Sequence, residues 1–341
     1  MERVLAAGLL AMIISIVAGP KFIEFLRRNE MGQHIREEGP AGHQVKQGTP
    51  TMGGLLMVFS ASVAFLALSH YTIEGLTVFF VMLGCAAIGF ADDYIKLRHR
   101  RSLGLAGRWK LLLLLGITIG LGFAVEDVNA PTAVYVPIFD WRIGLSLAFY
   151  ALLFVIVAGA ANGANLTDGI DGLAAGIGII ALLTFTAMNV IGSTRSAQFQ
   201  GVQDTASLDM AIIGAALIGG AIGFLWYNAF PAEVMMGDTG SMAIGGALGA
   251  FAVMSRSELL LLLIGGIFVI NALSVILQVA SFKYWGRRIF LMAPIHHHFE
   301  MKAWSETKIM VRFWIVAAIL CGAAFALYYR YFPGFRPDLV S

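Results

Sequence analysis

The run LTVFFVMLGCAAIGFADDYIKLRHR, residues 76–100, decides the fold class of this chain. Its first part belongs to an apolar segment over 74–91, long enough as a helix to cross about 30 Å of hydrocarbon. The segment stops at two adjacent carboxylates, Asp92 and Asp93, and a basic cluster follows with Lys96, Arg98, Arg100 and Arg101. Read as a membrane helix, it carries both acids at its C-terminal end, where the helix dipole disfavours negative charge. A basic flank orients a span, but an acidic pair there needs another reason.

Such segments recur along the chain, at about 4–26, 52–69, 74–91, 109–125, 142–161, 173–191, 207–228, 240–254, 258–281 and 309–329. With 58% of 341 residues hydrophobic, 13% charged and a mean hydropathy of +0.79, a water-soluble domain is excluded. The runs do not alternate, so a membrane β-barrel is excluded as well. The expectation is an all-α polytopic membrane protein of about ten transmembrane helices, forming one integral domain over 1–341. VLAAGLLAMIISIVAG (4–19) has the look of a signal peptide, but Glu2 and Arg3 precede it and no clean cleavage site follows. It reads as an uncleaved first span. Cys85 and Cys321 both sit in apolar runs and read as small core residues.

Alternate connections place residues 27–51, 92–108, 162–172, 229–239 and 282–308 on one membrane side. With flanks, that side holds all seven lysines and ten arginines, against six arginines opposite. The positive-inside rule makes those five loops cytoplasmic and both termini periplasmic. The same loops hold nearly all the unusual polar residues. They are His43, Lys46, Thr49 and Thr51 in the first, Asp92 and Asp93 in the second, and Asn162, Asn165, Asp168 and Asp171 in the third. The fourth has Asp238 and the fifth His296, His297, His298 and Glu300. Topology alone brings these to one face.

Simpler roles compete for several of them. Thr49 before Pro50 is a helix-start signal, and Asp168, Asp171 and Asp238 precede helices that a carboxylate can cap. An Asp92–Lys96 pair at i,i+4 is worth only about 0.2–0.5 kcal/mol, too little to explain a second acid beside it. Three consecutive histidines diverge in direction and make a poor zinc site. Contact with phosphate oxygens, or orientation of a carboxylate, suits them better. Spans two, six and eight begin in glycine-bearing turns, GTPTMGG, DGIDGLAAG and GDTGS, and helix N-termini of this kind bind anions. Anion sites beside carboxylates are reconciled by a pyrophosphate with Mg²⁺, which takes one or two carboxylates alongside water and phosphate oxygens.

KQGTPTMGG, ADDYIK, NGANLTDGIDGLAAG, MGDTGS, LSVILQV and MAPIHHHFE occur in order between about residues 20 and 315. Together they resemble the polyprenyl-phosphate N-acetylhexosamine-1-phosphate transferases. APIHHHFE, with the GQ-x-IR-x-x-GP run at 32–40, resembles the phospho-N-acetylmuramoyl-pentapeptide transferase branch. The resemblance implies ten helices, a cytoplasmic active site in the bacterial inner membrane and a Mg²⁺ requirement. It also implies transfer of phospho-MurNAc-pentapeptide from UDP-MurNAc-pentapeptide to undecaprenyl phosphate, releasing UMP. By motif, Asp238 resembles the magnesium ligand, and Asp92 and Asp93 the essential acidic pair. Lys46, Asn165 and Asp168 would line the cleft, and Gly169 and Asp171 match the uridine-side loop. Thr51, Lys96 and Gln278 match the sugar–peptide side, and His296, His297 and His298 the catalytic-loop motif. Met235 stands where an aromatic residue often adjoins the nucleobase, Ala303 where glycine is usual, and Asn271 where an acid is common.

The expected partners are the two substrates and membrane lipids, with no nucleic acid; a homodimer is left open. A sister enzyme using UDP-GlcNAc shares the chemistry, but the histidine tract argues against it. A transporter would place its acids near mid-bilayer rather than at span ends.

Overall fold

The computed structural model describes residues 1–29, 32, 48–99 and 103–331. Its elements in chain order are α1 (Glu2–Arg28), α2 (Gly54–Leu68), α3 (Ile73–Arg98), α4 (Gly107–Asp127), β1 (Ala133–Val136), β2 (Trp141–Gly144) and α5 (Ala148–Thr167). There follow α6 (Leu173–Gln200), α7 (Thr205–Asn228), α8 (Gly237–Met254), α9 (Leu261–Ile264), α10 (Gly266–Trp285), α11 (Ile295–Glu300) and α12 (Glu306–Tyr331). Eight of them, α1, α3, α4, α5, α6, α7, α10 and α12, are long and apolar enough to cross a membrane. The chain is an all-α polytopic membrane protein. The other two expected spans correspond to α2, of only 15 residues, and α8, whose first turn contains Asp238.

Several boundaries differ from the sequence reading: α5 runs on to Thr167, so Asn162 and Asn165 are helical rather than in a loop, and α6 extends to Gln200. The fifth helix begins at Ala148, because residues 133–144 form an antiparallel hairpin with Val134 opposite Ile143 and Val136 opposite Trp141. The alternation of Val134, Tyr135 and Val136 has the period of a strand, which a hydropathy window cannot register. The ninth span is two helices, α9 and α10, broken at Gly265. Lastly, α3 runs on to Arg98, so Asp92 and Asp93 lie inside the helix rather than beyond it.

The core forms around α7, most of which is buried, and α8, nearly every residue of which is. Both are rich in glycine and alanine, and small residues let backbones approach in a medium that supplies no hydrophobic drive between helices. A Cβ on Gly219 of α7 would overlap the Gly8 carbonyl of α1. One on Gly89 of α3 would overlap the Asp238 carbonyl of α8. That second contact brings the acid-bearing end of α3 against the start of α8. At the other membrane face, buried Asp209 of α7 accepts from the His70 backbone N–H at 2.7 Å and the Thr72 N–H at 3.0 Å, tying down the start of α3.

Candidate active site

The first turn of α8 has N–H groups with no helical partner, as every helix start does. Asp93 supplies two of the acceptors. Its Oδ1 accepts from Asp238 N at 3.1 Å, and its Oδ2 from Thr239 N at 3.0 Å and Thr239 Oγ1 at 2.8 Å. Asp168, at the C-terminal end of α5, accepts from the N–H of Gly237. A left-handed φ of 76° at Gly237 sets up this turn, and a Cβ there would lie 2.7 Å from Asp93 Oδ2. Acids from two other helices therefore cap α8. The dipole that makes the end of α3 unfavourable for Asp93 is answered by the opposite pole of α8.

Asp92 faces the other way. Its Oδ1 accepts from Leu105 N at 2.7 Å and lies 3.0 Å from Lys110 Nζ, while its Oδ2 lies 2.6 Å from Lys96 Nζ. Both ammonium groups also reach Asp238, Lys96 Nζ at 3.0 Å from Oδ1 and Lys110 Nζ at 2.9 Å from Oδ2. Two lysines thus bridge two carboxylates in a closed square. Asp92, Asp93 and Asp238 each offer an oxygen within 4.8 Å of the others, the one such grouping among the described residues. Burial and the nearby Asp238 and Asp93 charges push the Asp168 carboxyl up to about 8, against the opposing Gly237 N–H.

The histidine tract forms α11 and leans on the loop after α5. A Cβ on Gly169 would lie 2.5 Å from His296 Nε2 and 3.2 Å from the His297 ring, so only glycine allows this approach. His296 is fully buried, and its Nδ1 pairs with Asn271 Oδ1 of α10 at 3.1 Å. Asn271 in turn donates to Thr167 Oγ1 at 2.9 Å, which links α10, α11 and the end of α5. His297 pairs with Glu300, and His298 Nδ1 accepts from Leu291 N at 3.1 Å.

A family profile described as Glycosyl transferase family 4 matches residues 75–256, and the Phospho-N-acetylmuramoyl-pentapeptide-transferase signature 1 matches residues 46–58. Among curated proteins, the Phospho-N-acetylmuramoyl-pentapeptide-transferase of Rubrobacter xylanophilus is 44% identical, the alignment covering 96% of this chain and 98% of that protein. Those of Halalkalibacterium halodurans and Frankia casuarinae are 43% and 42% identical, over 96% and 97% of this chain and 98% of each relative. The chain belongs to the phospho-N-acetylmuramoyl-pentapeptide-transferase family. It is a transferase, as the resemblance implies.

With that family in hand, the remaining site residues can be placed. Asn165 donates to Ser241 Oγ at 3.1 Å, fastening α5 to α8, and Asp171 accepts from Ala232 N at 3.0 Å. Buried Thr51 lies beside Gly237, and Met235 is buried with its backbone paired to Pro50 and Gly53. Gln278 spends its amide on the backbone of Ile289 and Phe290, at 2.9 to 3.0 Å, and so braces the loop leading to α11. Lys46 lies outside the described residues.

Two sequence expectations are corrected. The starts of α2 and α8 are not open anion sites, and that of α6 is partly closed. Gly53 and Gly54 N–H groups go to the Met235 and Met236 carbonyls, those of α8 to Asp93 and Asp168, and Gly172 N–H to Asn228. Buried backbone N–H groups need acceptors, and here the protein supplies them. Positive charge comes instead from Lys96 and Lys110. Nor do Asp171 and Asp238 cap their own helices, since α6 and α8 have no side-chain N-cap, and Thr49 precedes the start of α2 by several residues. Two functional candidates escaped the sequence reading. Lys110 read as one more orienting charge; its position at the start of the fourth span, on the same membrane side as the acids, was the one signal the sequence offered. Asn271 was noticed only as a departure from pattern.

Proposed function

We propose that this chain transfers phospho-MurNAc-pentapeptide from UDP-MurNAc-pentapeptide to undecaprenyl phosphate, giving lipid I and UMP, in the bacterial cytoplasmic membrane. The observation that carries this reading is the square of Asp92, Asp238, Lys96 and Lys110, in a chain aligned nearly end to end with transferases of that name. Mg²⁺ fits the donor set: three clustered carboxylates, all oxygen ligands, already draw two cationic groups into their midst. Asp238 would hold it, with Asp92 as the neighbouring acid. Bound there, it would neutralise the pyrophosphate and the departing UMP.

The protein's own groups do the rest. Lys96 and Lys110, released from their carboxylates, would turn to the phosphate oxygens with charge-assisted hydrogen bonds. Asp93, with both oxygens engaged by α8, acts as a positioning residue for Asp238. Asn271 Oδ1 holds the proton of His296 on Nδ1, so that Nε2 faces the Asp168–Gly169 loop. The lipid phosphate, a monoester with a second pKa of about 6, arrives largely as the dianion. Its oxygen attacks the sugar-linked phosphorus in line as the bond to UMP breaks, and no strong base is required.

Release of UMP that depends on both undecaprenyl phosphate and Mg²⁺ tests the proposal, with UDP-GlcNAc as the competing donor. UMP formation without the lipid, or preference for UDP-GlcNAc, would overturn it. Isolation of an aspartyl-phosphate after adding the UDP substrate alone would replace direct attack by a two-step route.

A further inference from the structure

On the membrane face opposite the acidic square, the hairpin between α4 and α5 bears an apolar surface that no helix among the described residues covers. Ile138, Phe139 and Trp141 are each 61% exposed, Ile143 is 46% exposed, and Leu147, just before α5, is 85% exposed. Phe139 and Trp141 stack with ring centroids 5.1 Å apart. A hairpin projecting into water would present polar side chains on such positions, yet here the free edge is the apolar one.

The hairpin is not a free arm. Val134 is 5% exposed within the main hydrophobic core. Tyr135 donates from its hydroxyl to the Tyr331 carbonyl at the end of α12, at 2.7 Å, and also lies 2.7 Å from Asp140 Oδ1. Leu145 N–H bonds to the Thr132 carbonyl at 2.9 Å, extending the pairing to the hairpin base. These ties hold the ribbon at the level of the helix ends. In the register of the pair, Trp141 lies opposite Val136 and Ile143 opposite Val134, so both share the face that buries Val134 and overhang the bundle beyond it.

That overhang continues a surface already committed to lipid. Phe123 near the end of α4 is 67% exposed, and Val155 two turns into α5 is 64% exposed. Leu147 lies about 12 Å from Val155 along α5, at about 1.5 Å per residue, with exposed Ala151 between them at i,i+4 spacing, so this helix face stays apolar up to the base of the hairpin. Tryptophan at this depth suits the interface between headgroups and acyl chains, and exposed Arg142 lies on the other face of β2.

We propose that Ile138, Phe139, Trp141, Ile143 and Leu147 form a membrane anchor, a β-hairpin lying in the phospholipid interface on the face away from the active site. It would fix the outer ends of α4 and α5, the same two helices that bring Lys110 and Asp168 to the active site at their opposite ends.

The test uses the full chain in vesicles of phosphatidylethanolamine and phosphatidylglycerol, labelled with an NBD fluorophore at single engineered thiols. Both native cysteines are buried and so spared. Phe139→Cys and Leu147→Cys are the probe positions, and exposed Gln203→Cys in the loop before α7 is the aqueous control. Labels at 139 and 147 are expected to emit at shorter wavelength than the label at 203. Doxyl lipids labelled near the headgroup should quench them several-fold more strongly, and aqueous iodide several-fold less. Equal iodide quenching at all three positions would overturn the proposal. So would protection seen in native membranes but absent from these vesicles, which hold no other protein; that result would assign the surface to a protein partner. Leu147, being outside the hairpin fold, keeps the test valid if the Phe139 variant misfolds.

Discussion

Asp93 Oδ2 lies 3.0 Å from Thr239 N and 2.8 Å from Thr239 Oγ1, and this one contact makes the adjacent acids two different residues. Asp93 is consumed in starting α8, whereas Asp92, one residue earlier, turns to the lysines. Successive side chains on a helix diverge by about 100°, so a pair can serve two neighbours at once.

Asp93→Ala should therefore behave as loss of a helix cap. A lowering of stability by about 1–2 kcal/mol is expected, together with loss of UMP release because Asp238 is no longer held. Thr239→Val, which removes a single hydroxyl donor, should cost about 1 kcal/mol. Thermal unfolding in detergent distinguishes them, and an unchanged melting curve for Asp93→Ala would refute the capping role.

Mg²⁺ should raise the melting temperature of the wild-type chain, since a ligand that binds only the folded state stabilises it. Asp238→Asn is expected to remove most of that increase and all UMP release. It leaves the Asp93–Thr239 cap in place, so the variant should still fold. A full magnesium-induced shift in Asp238→Asn would end its assignment as the ligand.

Much of this could be read from the sequence, and the exceptions have physical causes. Hydropathy located the helices because lipid admits only helices or closed barrels and the runs do not alternate, and loop charge placed Asp92, Asp93, Asp168, Asp238 and the histidines on one membrane side. What it missed depends on side-chain direction and on backbone pairing. GTPTMGG and GDTGS look alike as anion-binding turns, but Gly53 and Gly54 bond to Met235 and Met236, so the first turn closes against the second. Lys110 is seventeen positions beyond Asp93, and only the packing of α4 on α3 shows that it completes the square. The hairpin is too short and too half-apolar to show in a window sized for spans.

Gly169→Ala tests the junction between the Asp168 loop and the histidine helix. The added methyl would press on His296 Nε2, within 2.5 Å, and His296 is packed too tightly to retreat. UMP release should fall at least tenfold while the melting temperature shifts by only a few degrees. Activity equal to wild type would mean that the histidine helix can move without consequence.

The elevated Asp168 carboxyl gives a pH signature in magnesium-free protein. Its folded pKa of about 8 exceeds the unfolded value near 3.9. Between those limits the folded chain keeps a proton that the unfolded chain has released, so Asp168 lowers stability progressively from about pH 4 to 8, and the loss levels off above that. Asp168→Asn carries no charge at any pH and retains an oxygen for the Gly237 N–H. Its melting temperature should decline less between pH 6 and 9 than that of the wild type. Parallel curves across that window would contradict the assignment.

Lys110 makes the sharpest case for the square. Its ammonium sits 3.0 Å from Asp92 and 2.9 Å from Asp238, where it competes with any divalent cation for the same oxygens. Lys110→Met removes one partner from a buried ionic cluster, which ordinarily costs roughly 3–5 kcal/mol, a loss that the remaining Lys96 offsets in part. Two opposite effects should appear together. The magnesium concentration that half-saturates thermal stabilisation should fall about tenfold, because the competitor is gone. UMP release should nevertheless drop at least a hundredfold, because the pyrophosphate has lost a cationic partner. A variant that lost both magnesium affinity and turnover would show Lys110 acting only as a structural brace, and one that kept full turnover would remove it from the active site.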